Sequence, residues 1–242
     1  MMDCDDTLFP ARREELLSEK VIKAINQASS LMHIGIATHR SLLSVTPILT
    51  KLNLSGPSII SGGARVIDAQ TCQVLWEKSI DKQTFFQIIK IVENMDVDIF
   101  FTEDEESREY IKNYKPKKIL EMGIYGLEES AVDKLTKDFS GIDDIAYHKV
   151  LSMEPFKFGI VITHAEATKQ HGIFEVAKIL NINTHDFIGI GDSYNDFPLL
   201  MACGLKVAIG NAVEELKTIA DYIALPVDKD GVAEVINKFV LC

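Results

Sequence analysis

The chain has 242 residues, 47% hydrophobic and 25% charged, with 25 Lys plus Arg against 36 Asp plus Glu and a formal net charge of -11. Ordinary apolar content without charged tails excludes disorder as the main state, and the length suffices for one large core or two smaller domains. The acidic balance argues against broad binding to nucleic acid or an anionic membrane, while leaving room for a small anionic ligand in a locally positive pocket.

Taken in chain order, residues 12–28 carry a helical pattern, with Leu16, Leu17, Val21, Ile25 and Ala28 on one side. The apolar run 31–37 reads as a buried strand ending at Thr38-His39-Arg40. Ser41 is placed to cap a helix running to about Leu52, with Pro47 as a kink point, and 57–61 is a second short strand ended by Gly62-Gly63. The middle differs. Residues 64–68 and 74–78 read as a hairpin, followed by a helix at 82–94 and a strand at 97–101. The acidic stretch 103–113 reads as a helix whose dipole favours the leading carboxylates; a strand at 118–122, a helix at 128–138 and strands at 146–151 and 157–162 follow. The last third alternates helices and strands: helix 169–180, strand 187–191, helix 195–202, strand 205–209, a helix from Val213, strand 222–224 and a helix from Gly231. Alternation of this kind implies a parallel sheet covered on both faces, whereas the hairpins of the middle suggest a mixed or antiparallel sheet with helices on one face.

No stretch approaches the ~18 continuous apolar residues of a membrane span. The start, Met1 to Asp6, has neither the basic region nor the apolar run of a signal peptide. Cys4, Cys72, Cys203 and Cys242 match no disulfide framework or zinc spacing, so four reduced thiols in a cytoplasmic protein is the plain reading.

Four short segments carry chemistry. In extended backbone Asp3 and Asp5 point to the same side, and two such carboxylates repel unless a cation lies between them or one holds a proton. Either condition suits attack on phosphorus by one and proton exchange by the other, although a plain acidic turn also fits. Thr38 ends an apolar strand before a helix, a place for a phosphate or simply for a cap; His39 reads as a surface or supporting residue and Arg40 as a substrate contact. Lys169 opens a helix against the dipole preference, where an ammonium pins a carboxylate and a phosphoryl oxygen or merely meets solvent. The strongest segment is Gly189-Ile190-Gly191-Asp192-Ser193-Tyr194-Asn195-Asp196, which sets hard oxygen ligands suited to Mg²⁺ past the end of a buried strand. Gly210-Asn211-Ala212, after the next strand, borders the same crevice.

In order and placement these segments resemble the four motifs of the haloacid dehalogenase-like (HAD) hydrolase superfamily, over residues 3–62 and 165–237. The tail, Gly204 to Ala212, Glu214-Glu215-Leu216 and Asp230-Gly231-Val232, is similar to the Cof-type branch. The resemblance implies an α/β fold: a Rossmann-like parallel core formed by 1–62 and 165–242, with an inserted α/β cap of the C2 type at 63–164. It also implies roles. Asp3 is the nucleophile that forms an aspartyl-phosphate, and Asp5 is the general acid/base. Thr38, Lys169 and Arg40 hold the phosphoryl group. Asp3, Asp5 (through its carbonyl), Asp192 and Asp196 bind or orient around Mg²⁺, with Ser193, Asn195 and Asn211 in support.

The implied function is Mg²⁺-dependent hydrolysis of a small phosphorylated metabolite such as a sugar phosphate, by a cytoplasmic monomer or homodimer with no nucleic-acid or membrane partner. A phosphomutase of the phosphomannomutase type and a catalytically silent HAD-like binding protein are the alternatives. The sequence departs from the family pattern in places. Asp6 replaces a usual Gly, Gly62-Gly63-Ala64 replaces Asn-Gly-Ala, and Gln170-His171 separates Lys169 from Gly172. Only Met1 and Met2 precede Asp3, so the central strand is expected to leave backbone groups unpaired and part of the core uncovered, or else the protein begins further upstream. Candidate cap contacts are Glu103, Arg108, Tyr125, His148 and Lys149, whereas Trp76, Phe85 and Phe86 read as cap core or cap packing.

Overall fold

The structure, a computed structural model, describes every residue except Arg12, Met153, Pro155 and Cys242. The expected helix start at residue 12 and the fourth thiol therefore lie outside the described residues; Cys4, Cys72 and Cys203 are free thiols.

Helix α1 (Glu19–Ala28) starts later than the apolar pattern suggests because Ser18, in extended backbone, caps it by accepting from the Val21 N–H. Its stripe Val21, Ala24, Ile25 and Ala28 is buried. The run 31–37 forms strand-like pairing only at its end: Met2 bridges Ile36 on one side and Ile190 on the other, and Ala37 bridges Ile59, all parallel. Helix α2 (Leu42–Leu52) leads to β1 (Pro57–Ile60), and the antiparallel strands β2 (Arg65–Asp68) and β3 (Val74–Glu77) add to the edge beyond β1. The chain later returns through α5 (Lys169–Leu180), β9 (Ile188–Gly191), α6 (Phe197–Ala202), β10 (Leu205–Ala208), α7 (Glu214–Ile219), β11 (Tyr222–Ile223) and α8 (Gly231–Phe239). The core sheet thus runs β3, β2, β1, residues 36–37, residue 2, β9, β10, β11, parallel from β1 onward. Helices α1, α2 and α8 bury one apolar cluster on one face, and α5, α6 and Leu216 of α7 bury another on the opposite face.

The pairing of Met1–Asp3 is complete where it exists. Met2 N–H donates to Gly35 O, Ala37 N–H to Met2 O, Ile190 N–H to Met1 O and Asp3 N–H to Ile190 O. Beneath this stub an apolar cavity of about 330 Å³ opens among Met1, Met2, Met32, Phe187, Ile188 and Val235. It lies at the end of the sheet away from Asp3.

Between β3 and α5 the chain forms α3 (Lys82–Val92), β4 (Asp98–Glu103), β5 (Glu106–Glu109), β6 (Glu121–Leu127), α4 (Glu129–Phe139), β7 (Ile145–Leu151) and β8 (Phe158–His164). These strands make one antiparallel sheet in the order β5-β4-β6-β8-β7. Its apolar face, with Phe101, Met122, Ile124, Ile160 and Ile162, packs on Phe85, Ile88 and Ile89 of α3 and Val132, Leu135 and Phe139 of α4. The β2–β3 hairpin, although inside the 63–164 stretch, hydrogen-bonds to the core sheet. The two chain crossings touch at Gly63, whose φ of +116° and contact with the Thr168 backbone leave no room for a Cβ.

Two expectations are corrected. The stretch 103–113 is not a helix: Asp104, at φ 53°, turns the chain so that Glu103 pairs with Glu106 in a β4–β5 hairpin. The stretch has no apolar stripe at helical spacing to bury. The Glu103 carboxylate is taken inward by the Tyr114 hydroxyl at 2.6 Å and the Lys117 N–H at 2.5 Å. Trp76 packs against the core clusters rather than inside the second sheet, whereas Phe85 is cap core and Phe86, 38% exposed, packs on it.

Phe85 is fully buried and meets Phe86, Phe101 and Tyr110 edge to face. Phe85→Ala is expected to lower unfolding stability by about 3–5 kcal/mol, read as a lower urea midpoint. A loss under about 1 kcal/mol would contradict the packing described.

Candidate active site

Parallel strands bring their carboxyl ends to one edge of a sheet, and open α/β sheets place their ligand crevices there. Asp3 follows Met2 at that edge, Thr38 follows Ala37, and Asp192 follows β9. All three are buried. Lys169 is the first residue of α5, behind the capping Thr168, and its side chain is 1% exposed. Its Nζ donates to Asp3 Oδ1 at 2.7 Å and to Asp196 Oδ1 at 2.6 Å.

Asp196 is fixed from both oxygens. While Oδ1 takes Lys169, Oδ2 accepts from the backbone N–H of Asp192 at 3.0 Å and of Ser193 at 3.1 Å. Ser193 and Asp196 close a reciprocal capping box around the turn 194–196. A Cβ on Gly191 would stand 2.5 Å from that of Asp196, so glycine is needed for the turn to fold back on the strand. Asp192 is steadied by Thr7, whose hydroxyl donates to Oδ1 at 2.7 Å. Asn195 is buried within the turn. Asn211 ties the loops together: its Nδ2 donates to Asp6 O at 2.8 Å and its Oδ1 accepts from Val227 N–H at 2.8 Å.

One carboxylate oxygen from each of Asp3, Asp192 and Asp196 lies within 4.8 Å of the others. Three buried carboxylates face one ammonium, so a full set of ionised groups carries two uncompensated negative charges. Burial of such an excess is costly, and protons or a divalent cation relieve it. Burial is the main force raising the Asp3 carboxyl to about 7, against the pull of Lys169, and with help from Asp196 and Asp5. Asp192 is pushed well above the ordinary carboxylate value, by burial first and then by Asp196 and Asp3. Burial disfavours the Lys169 ammonium, yet Asp196 and Asp3 outweigh it and hold the lysine charged above its usual range. Hard oxygen donors with this charge deficit fit a divalent metal ion.

Arg40 is turned away from the expected phosphate role. Its Nε and Nη2 fork onto the two oxygens of Asp5, both at 2.8 Å, and its Nη1 and Nη2 also reach Glu14 at 3.4 Å. Thr38 is 1% exposed; its hydroxyl oxygen accepts from the Arg40 N–H at 3.2 Å. His171 is engaged with its own helix cap, Nδ1 lying 2.9 Å from the Thr168 hydroxyl.

Of the cap candidates, Glu103 and Arg108 serve the β4–β5 hairpin, and Lys149 bonds Glu129 and lies 3.8 Å over the Phe158 ring. Tyr125 lies across Gly123 and Gly159 on the sheet face opposite the apolar one. His148 lies near His39, Lys169 and Asp196, whose charges act on it. The sequence reading missed Glu121, which accepts from His39 Nδ1 at 2.7 Å across the junction of the two sheets. The signal was the unusual Gly62: a Cβ there would collide with the Glu121 carboxylate and the His39 ring.

Comparison with known proteins agrees with this arrangement. The chain is 25% identical over 245 residues to the 5-amino-6-(5-phospho-D-ribitylamino)uracil phosphatase YcsE of Bacillus subtilis, covering 99% of this chain and 94% of that protein. It is 24% identical over 209 residues to a phosphoglycolate phosphatase of Methanopyrus kandleri, covering 86% and 82%. Among solved structures, a haloacid dehalogenase-like hydrolase from B. subtilis superimposes with a TM-score of 0.84 over 98% of both chains at 20% identity, a likeness of fold. The sequence model of the haloacid dehalogenase-like hydrolases matches residues 1–154 and 102–236. With that match spanning nearly its whole length, the chain belongs to the haloacid dehalogenase-like hydrolase family.

Proposed function

We propose that this chain is a Mg²⁺-dependent phosphomonoesterase that hydrolyses a small phosphorylated metabolite through an aspartyl-phosphate on Asp3. The observation that carries this reading is the buried Lys169 ammonium shared between Asp3 and Asp196, with Asp192 in the same cluster. The phosphatase relatives support it, one acting on a phosphorylated ribityl compound and one on phosphoglycolate by their names.

In this reading an Asp3 carboxylate oxygen attacks phosphorus, and the bond from phosphorus to the ester oxygen breaks. Lys169 and the Thr38 hydroxyl hold phosphoryl oxygens and offset the charge that builds there. Asp5 gives a proton to the departing alkoxide and then takes one from the water that attacks the aspartyl-phosphate, freeing phosphate and Asp3. Arg40 acts on Asp5: its fork aims that carboxylate and must yield one hydrogen bond for a proton to settle there. Mg²⁺, held by Asp3, Asp192 and the Asp5 carbonyl with Asp196 alongside, supplies Lewis-acid charge stabilisation when bound. The chain divides into core segments 1–62 and 165–242 and a C2-type cap at 63–164 of the Cof-type branch, with Gly62-Gly63 at the junction and the β2–β3 hairpin at the head of the insertion pairing with the core sheet. The enzyme works in the cytoplasm as a monomer or homodimer, without nucleic-acid or membrane partners; no helix among the described residues is long and apolar enough to cross a membrane.

Asp3→Asn is expected to abolish phosphate release from a panel of monophosphates, by ~10³-fold or more, while leaving the fold intact. Metal-dependent release that survives in this variant would remove Asp3 as nucleophile.

The raised carboxyls give a second expectation. A carboxyl whose pKa is higher in the fold than in the unfolded chain binds extra protons when folded, so the contribution of Asp3 to stability falls as pH rises from about 4 towards about 7, and Asp192 acts in the same direction. Where these groups are ionised a divalent cation has most to offset. Mg²⁺ is expected to raise the melting temperature by several degrees near pH 8 and only slightly near pH 5. Equal shifts at both pH values would count against the cluster as the binding site.

A further inference from the structure

Four buried polar side-chain atoms lack a hydrogen-bond partner among the described residues: His39 Nε2, Ser61 Oγ, His148 Nε2 and Thr163 Oγ1. A buried unpaired polar group costs about 1–3 kcal/mol, so four of them at one place call for an explanation. They are at one place. His39 reaches Glu121 through Nδ1, and both crowd Gly62, the neighbour of Ser61. The loop at 61–62 runs beside 38–40, since Ser61 N–H donates to Arg40 O and Gly62 N–H to Thr38 O. Across the junction Glu121 is the direct partner of Thr163, Thr163 of Ala146, and Val161 of both Gly123 and His148. Directly opposed residues share a face, so Glu121, Thr163 and His148 all stand on the face turned away from the α3–α4 core. The strand that carries His148 packs against the turn 194–196, and the charges of Lys169 and Asp196 act on its ring.

We propose that His39 and His148, one from each side of the junction, together with Ser61 and Thr163, form the subsite that holds the alcohol portion of the substrate and select a neutral, hydroxyl-bearing phosphomonoester. This rests on the phosphatase reading and names its substrate class. With Nδ1 engaged by Glu121, the His39 ring turns Nε2 to the subsite, while the Ser61 and Thr163 hydroxyls offer both donor and acceptor. A hydroxyl also does both, so a polyol or sugar satisfies each orphan in turn. A ligand carboxylate does not. It would meet Glu121 and Asp196, while Lys169, shared by Asp3 and Asp196, serves the phosphoryl group and Arg40 is forked onto Asp5 and Glu14. Burial keeps His148 uncharged at neutral pH, its pKa lowered to about 4, so it adds no anion-binding charge.

The test measures kcat/KM for a pentitol monophosphate, a hexose monophosphate, phosphoglycolate and p-nitrophenyl phosphate in the wild type, His148→Leu and His148→Gln. Calorimetry follows binding of the two hydroxylated esters to Asp3→Asn, with and without His148→Leu. At least one hydroxylated ester is expected to be preferred over phosphoglycolate. The ratio of its kcat/KM to that of the aryl ester is expected to fall ~10-fold or more in His148→Leu, mainly through KM, with partial recovery in His148→Gln and a matching loss of affinity in the binding arm. A parallel fall for every substrate, an unchanged ratio, a preference for phosphoglycolate, or undetectable binding of both hydroxylated esters overturns the subsite. Absent turnover with the affinity loss intact overturns the phosphatase reading and leaves the subsite standing; absent turnover with unchanged affinity overturns both.

Discussion

One buried ammonium organises this molecule. Lys169 joins Asp3 to Asp196 at 2.7 and 2.6 Å, and these residues come from three separate stretches of chain. The third carboxylate, Asp192, pairs with no cation among the described residues; a threonine hydroxyl is its side-chain support. The centre is therefore electrically incomplete. An ion-paired cluster with one charge of each sign would be a structural brace, neutral and inert. Two surplus carboxylates make the same cluster a receptor for positive charge, whether as protons that raise Asp3 and Asp192 or as a divalent cation.

The rest of the core serves to hold that imbalance in place. Asp196 can take Lys169 only because its other oxygen is bound by two backbone N–H groups, and those are presented by a turn that Gly191 permits. Asn211 fastens the Asp6 loop to the segment at Val227. Even the short strand at Met1–Asp3 is hydrogen-bonded on both sides where it presents Asp3.

Much of this was legible in the sequence because backbone periodicity and motif order are local properties. The alternation of helix and strand after residue 165 follows from hydrophobic spacing, and Gly-x-Gly-Asp followed by Asn-Asp marks a strand end whatever surrounds it. What failed was set by partners distant in the chain. Residues 106–109 have no helical stripe, and they become a strand because β4 offers an open edge. Trp76 was assigned by neighbourhood in sequence, but β3 belongs to the sheet of β1. Arg40 was expected at the phosphate because it follows Thr38; its place is set instead by Asp5, thirty-five positions earlier. Glu121 could not be found at all without knowing that β6 starts opposite His39, although the glycine that admits both was visible.

The second sheet shows how one pattern can serve two ends. Along β6 and β8 alternate residues, Met122, Ile124, Ile160 and Ile162, fill the core under α3 and α4. The intervening positions, Glu121, Gly123, Tyr125, Gly159, Val161 and Thr163, are small or polar apart from one aromatic and one valine. Strand alternation makes the two sets inseparable, since a one-residue slip would exchange them. The burial of the isoleucines therefore also fixes which face turns Glu121 and Thr163 toward the junction. The Glu121–His39 bond then links that face to the core beside Thr38, so the register that stabilises the second sheet is also what turns its polar groups toward the core. Change in selectivity within this fold is cheapest at those alternate positions, because substitutions there leave the hydrophobic packing that sets their direction untouched.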